Sequence, residues 1–210
     1  MDEKEQKIGD IEQKSKEIVN FLFEVGILSK TPRSGFHFLG TGDQSVSEHI
    51  SRVVFIGYSL SMMENNTEVD LLKVLQMCLF HDIAETRVSD LNYVHQKYVE
   101  AKSEKAVEDL CKSLPFGDKI HTILDEYEER KTKESIIAKD ADNLEWIISL
   151  KEQFDIGNTR AREWIDSAIK RLKTDNARKI AEDILKTEST SWWFGNKEDK
   201  WWVNRNQDEK

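Results

Sequence analysis

Four residues hold the strongest chemical potential in this chain: His49, the adjacent pair His81-Asp82, and Asp142. Imidazole nitrogens combined with carboxylate oxygens suit Mn, Fe, Co, Ni or Zn better than Ca. With five histidines in the chain, a His-Asp dipeptide alone means little; its direction means more. Asp82 and Glu85 continue an apolar face that begins at Leu71, Leu75 and Cys78, so carboxylates point where a core should be. A buried carboxylate needs a metal, a cation or several hydrogen bonds. His49 shares a helical face with Val53, Ile56 and Leu60 and also turns inward. A further ligand must come from another helix, and Lys139-Asp140-Ala141-Asp142 offers two acids beside the stripe Ile137, Ala141, Leu144 and Ile148. Asp142 lies one turn beyond Ala138, near the buried edge, whereas Asp140 lies farther round and is expected in solvent. The pattern predicts a divalent transition metal, with Mg also admissible, held by His49, His81, Asp82 and Asp142.

Helices must position these groups. Two prolines and nine glycines in 210 residues favour long helices over many strands. An apolar stripe runs through 11–28, and Lys30-Thr31-Pro32-Arg33-Ser34-Gly35 breaks it into a loop that lasts to Gly42. Ser45 and Glu48 have capping-box spacing and open a helix with Val46, Val53, Ile56, Leu60 and Met63 on one side. Asn65-Asn66-Thr67 is expected to end it. Further helices are predicted over about 69–86, 97–113, 117–131 and 134–153, with one or two more in 158–187 and a loop at 86–96. The reading is all-α: a helical bundle over 1–210 as one domain, its core at about 15–155, with C-terminal helices and an aromatic-rich tail in 156–210.

The bulk numbers narrow the function classes. A net charge of −9 opposes a broad nucleic-acid surface, although a local cluster of cations can still hold a small anion. The charged start, Met1 to Asp10, has no apolar core of a signal peptide, and no run of about 18 apolar residues crosses a membrane. The expected location is the cytoplasm. Cys78 and Cys111 read as small buried hydrophobes, and His37, His95 and His121 as surface or loop residues. Trp192, Trp193, Phe194, Trp201 and Trp202 are expected to pack on the bundle or on a second subunit.

In order along the chain, Ser45-Val46-Ser47-Glu48-His49, His81-Asp82-Ile83-Ala84-Glu85 and Lys139-Asp140-Ala141-Asp142 resemble the H…HD…D pattern of the HD-domain metal phosphohydrolases, in particular the 5′-deoxynucleotidase branch. The likeness covers about residues 15–155. It implies an HD-type helical bundle, a homodimer, and a metal on His49, His81, Asp82 and Asp142. It also implies acid–base chemistry by Glu85, a sugar-hydroxyl contact by Asp90 and a phosphate contact by Arg33. The family's loop usually reads Arg-Thr-Gly-Trp or carries an Arg-Trp pair, where this chain has Arg33-Ser34-Gly35-Phe36; Phe36 is expected to keep an aromatic wall at the substrate. Ser89 stands where a glycine is common before the sugar-binding acid.

The reaction so implied removes the 5′-phosphate of a nucleoside monophosphate, deoxyribose preferred, to give nucleoside and inorganic phosphate. Hydrolysis of triphosphates or of another nucleotide phosphoester is the second reading. Guanosine alarmone hydrolases carry a second acid after the motif glutamate, where this chain has Thr86, and the Gly-Tyr-Pro motif of cyclic-dinucleotide phosphodiesterases is absent. A non-catalytic nucleotide-binding module needs neither four ligands nor Glu85.

Overall fold

A computed structural model describes residues 3–64 and 68–198. Eleven α-helices occur among them: α1 (Glu3–Val25), α2 (Gly35–Leu39), α3 (Val46–Met63), α4 (Leu71–Phe80), α5 (Glu85–Val88), α6 (Ser103–Cys111), α7 (Gly117–Glu129), α8 (Lys133–Asp155), α9 (Ala161–Ile169), α10 (Asp175–Lys186) and α11 (Ser191–Phe194). The described residues hold no strand, only an isolated bridge between Pro32 and Ser45. The expected stop at Asn65-Asn66-Thr67 lies outside the described residues, as do Trp201 and Trp202.

Helix α8 is the axis of the molecule. It packs against α3, α4, α7, α9 and α10, and Ile137, Ala138, Ala141, Leu144, Ile147 and Leu150 are all buried. A helix covered on most sides cannot leave its polar residues to water. Asp140, expected in solvent, is therefore fully buried. It accepts from the Lys173 and Thr174 amides and from the Thr174 hydroxyl, at 2.7–3.1 Å, and so anchors the turn before α10. Helix α3 lies beside α8 and opens with the predicted capping box of Ser45 and Glu48. Its Gly57 lets α4 approach: a Cβ there would come within 2.5 Å of Cys78 Sγ.

Two predicted boundaries move. Helix α4 stops at Phe80, and His81 to Ala84 form tight turns through hydrogen bonds such as Ile83 N to Phe80 O and Glu85 N to Asp82 O. Glu85 therefore begins a new helix, and the inward face of α4 is Val74, Met77 and Cys78 rather than Leu71 and Leu75. The helix expected from 97 begins only at Ser103, because 97–100 are exposed and have no apolar face to bury. Helix α1 holds α5 in place: Glu24 accepts both Nε and Nη2 of Arg87, at 2.6 and 2.9 Å, and the Thr86 hydroxyl at 3.0 Å. Cys78 and Cys111 are buried free thiols. Trp192 is 85% exposed, so the expected packing on the bundle does not extend to it.

Ser89, after α5, has φ 64° and ψ 164°, a region that essentially only glycine enters without strain. Such strain costs about 1–3 kcal/mol, of which glycine's extra unfolded-state freedom returns about 0.5–1 kcal/mol. Ser89→Gly should thus stabilise the protein by about 1 kcal/mol in urea unfolding; a neutral or destabilising result would show that this backbone is not strained.

Candidate metal centre

The site is built where α3, the end of α4 and α8 meet. His49, one turn into α3, is fully buried. Its Nδ1 lies 2.6 Å from Glu145 Oε2 on α8. Glu145 is itself fully buried, and its other oxygen accepts from Gln44 at 2.7 Å and from the Ser149 hydroxyl at 2.9 Å. Burial alone would raise the Glu145 pKa, but the bonds from His49 and Gln44 hold it below the ordinary value. An ionised carboxylate can only accept, so His49 carries its proton on Nδ1. His81 is oriented in the same way by a backbone carbonyl, with Nδ1 3.0 Å from Cys78 O.

Both Nε2 atoms then face inward. They are 3.3 Å apart. Asp142 Oδ1 is 3.3 Å from the His49 nitrogen and 4.0 Å from the His81 nitrogen. Asp82 Oδ2 is 3.5 Å and 3.2 Å from the same two atoms. His49, His81 and Asp142 each offer an atom within 4.8 Å of the others'. Ligands bound at about 2.1 Å and at tetrahedral or cis octahedral angles sit about 3.0–3.4 Å apart, which the His49–His81, His49–Asp142 and His81–Asp82 spacings match. The 4.0 Å between His81 and Asp142 is wider, and Asp82 lies outside the group of three mutually close ligands. Two neutral imidazoles with both Nδ1 atoms donating would set bare lone pairs against each other here; a cation or an added proton must lie between them. Burial and Arg33 oppose such a proton, but hydrogen bonds with Asp142 and Glu145 and the charge of Glu145 push the His49 pKa up to about 9.

A cavity of about 390 Å³ opens from this cluster, lined among others by Arg33, Asp82, Glu85, Asp90, Lys139, Asp142 and Trp146. Arg33 Nη1 is 3.5 Å from Asp82 Oδ2 and its Nε 3.9 Å from Asp90 Oδ2. The loop that carries Arg33 is clamped to the start of α3 by Arg33 N to Gln44 O and Val46 N to Thr31 O. Asp90 Oδ2 also accepts from the Ser34 amide at 2.8 Å, so one of its oxygens fixes the Arg33 loop. Lys139 donates to Asp142 Oδ2 at 2.6 Å and leaves Oδ1 toward the histidines. Glu85 Oε2 is buried without a hydrogen-bond partner. Burial, together with Asp82 and Asp90, pushes its pKa up to about 9. Burial would likewise raise Asp82, but His81, His49 and Arg33 hold it well below the carboxylate range.

The structure thus brings His49, His81, Asp82, Asp142, Glu85, Arg33 and Asp90 together, and leaves Phe36 out. Phe36 is 6% exposed and packs edge-on against Trp146, with ring centroids 5.3 Å apart, so it lies behind the cavity wall. Gly35 and Trp146 form that wall, because the α2 turn rotates Phe36 into the core. His37, His95 and His121 do not join the cluster. Glu145 is the partner that motif reading passes over. Its signal is helical period: it falls one turn after Ala141, on the buried side of α8.

The chain matches the HD domain family over residues 25–184, a span that takes in α9 and most of α10. It is 30% identical over 119 residues to the 5′-deoxynucleotidase HDDC2 of Dictyostelium discoideum, which is 52% of this chain and 62% of that protein. It is 26% identical over 193 residues to the 5′-deoxynucleotidase HDDC2 of Danio rerio, 82% of this chain and 94% of that protein. The chain thus spans less than two thirds of the first relative and nearly all of the second. Among solved structures, a conserved hypothetical protein from Pyrococcus furiosus superposes with a TM-score of 0.68 at 27% identity, over 80% of this chain and 99% of that one. By motif order, helical architecture and the extent of the match, the chain belongs to the HD domain family.

Proposed function

We propose that His49, His81, Asp82 and Asp142 hold one divalent ion, and that the protein releases the 5′-phosphate of nucleoside monophosphates, with deoxyribose preferred. The protein is an HD-domain phosphohydrolase of the 5′-deoxynucleotidase type, similar to relatives of that activity in slime mould and fish. One observation carries the reading: two inward Nε2 atoms 3.3 Å apart whose partner nitrogens are committed to Glu145 and to Cys78 O. The donor set favours Mn, Co, Fe, Ni or Zn, with Mg admissible. When bound, such an ion supplies a Lewis acid for a phosphoryl oxygen and makes water more acidic.

The chain's own groups do the rest. Arg33 keeps its charge although it is largely enclosed, because Asp82, Asp90 and Asp142 outweigh the effect of burial; its planar donors suit two oxygens of a phosphate. Lys139 orients Asp142. Glu85 can take a proton from the attacking water and return it to the departing 5′-oxygen as the P–O5′ bond breaks. Asp82 and Asp142 contribute to its raised proton affinity, which would fall with those charges offset, toward the range where acid–base exchange is most effective. Asp90 has its second oxygen for a sugar hydroxyl. No helix among the described residues is long and apolar enough to cross a membrane, and a cytoplasmic homodimer acting on a free nucleotide, without nucleic-acid or membrane partners, completes the reading.

Asp142→Ala should abolish both metal content and phosphate release while helicity by circular dichroism is kept; full activity with undiminished metal would remove Asp142 from the site. Glu85→Gln should keep the metal and lower kcat by about 10²–10⁴-fold. A change confined to KM would assign Glu85 to binding. Glu145→Gln should weaken metal affinity by about 10–100-fold, the usual effect of losing a carboxylate behind a histidine ligand; an unchanged affinity would reduce Glu145 to packing. His49, its proton affinity raised to about 9, must be neutral to ligate, and Glu85, likewise raised, loses affinity for its proton once the charges beside it are offset. Metal binding at about pH 7.5 should therefore release about one to two protons. Affinity should then rise with pH and level off near 9. Calorimetry in two buffers of different ionisation enthalpy measures this, and binding without proton release would contradict it.

A further inference from the structure

The cavity has a second, more exposed end. Tyr93, after α5, and Gln96, in the short 3-10 helix His95–Lys97, line it together with Arg171, from the turn after α9. Tyr93 is 54% exposed, against 15% for the Asp142 side chain at the floor. The guanidinium carbon of Arg171 lies 5.1 Å from the centroid of the Tyr93 ring. The other cations of the cavity are engaged, Arg33 with Asp82 and Asp90 and Lys139 with Asp142. Arg171 forms no ion pair among the described residues.

The backbone behind Arg171 is held firmly. Leu172 is 2% exposed, and the next two amides, of Lys173 and Thr174, donate to the buried Asp140. Asp140 lies two residues before Asp142 on α8, so one helix sets both the floor of the cavity and the position of this rim cation. An anchored stem with an unpaired, flat, charged head resting on an aromatic ring is a built surface rather than a solvated side chain.

We infer that Tyr93 and Arg171 form the nucleobase subsite. This rests on the phosphohydrolase reading, which directs the phosphate to the enclosed floor, where Arg33 lies. The rim offers what a base needs: an aromatic ring and a guanidinium plane to stack on, and the side-chain oxygen of Gln96, whose nitrogen donates to Leu91 O at 2.6 Å, for an edge. A phosphate would use the charge of Arg171 but has no use for the ring.

The test compares two probes with the metal-loaded protein: the methylenephosphonate analogue of deoxyadenosine 5′-monophosphate and that of deoxyribose 5-phosphate, whose P–C bonds resist hydrolysis. Wild type should bind the analogue with a base about tenfold more tightly. Arg171→Ala and Tyr93→Ala should each remove most of that preference and leave the base-free probe unaffected, and Tyr93→Phe should retain it. A wild type without preference, including one that binds neither probe, overturns the subsite. So does equal weakening of both probes in Arg171→Ala, which would make Arg171 a phosphate ligand. Phosphate release from the natural nucleotide, measured in parallel, reports separately on the reaction: a preference that vanishes in the variants, with no phosphate released by wild type, would sustain the subsite and sink the hydrolase reading.

Discussion

The enclosure of three carboxylates on one helix, Asp140 and Glu145 fully buried and Asp142 largely so, governs this molecule. Asp140, Asp142 and Glu145 lie on α8, which other helices cover on most sides, and each must find a partner there or remain neutral. Their partners tie α8 to the turn before α10 and to α3 with the loop before it. Asp140 takes the turn before α10, Asp142 takes Lys139 and faces His49, and Glu145 takes His49 and Gln44. The contact between α3 and α8 is therefore as much electrostatic as apolar. The burial that would destabilise an isolated acid makes each of these bonds specific.

The same packing separates two kinds of acid in the cavity. Asp82 and Asp142 face imidazoles and cations and stay ionised. Glu85, a few residues from Asp82, faces mainly burial and other acids and holds its proton. Ligand and proton carrier need opposite affinities for a proton, and a difference in neighbours supplies that difference within one short segment. The α1–α5 clamp through Glu24 and Arg87 fixes where that segment turns.

Much of this was legible in the residues alone, for definite physical reasons. Period placed the helices and turned His49 and Asp142 inward, and the Ser45–Glu48 spacing marked the start of α3, because these signals are local. What escaped depends on partners distant in sequence. Asp140 looks solvent-facing on an isolated helix, and only the packing of the C-terminal helices on α8 buries it. Glu85 reads as a continuation of α4 until the tight turns at His81–Ala84 shift its direction. Phe36 keeps the aromatic character of its loop, yet the α2 turn sends its ring into the core and leaves the wall to Trp146. Tyr93 comes from a segment without period, and Arg171 from a turn that breaks the predicted helical stretch 158–187, so no pattern reveals their direction.

In the proposed site, two imidazoles and two carboxylates from α3, the α4–α5 turn and α8 hold one ion. X-ray absorption spectroscopy of the protein loaded with one equivalent of Mn or Co addresses it directly. Two histidine nitrogens and carboxylate oxygens at about 2.0–2.2 Å are expected, with the imidazole outer-shell scattering that such ligands produce. A spectrum of oxygen ligands alone, without imidazole scattering, would contradict the claim.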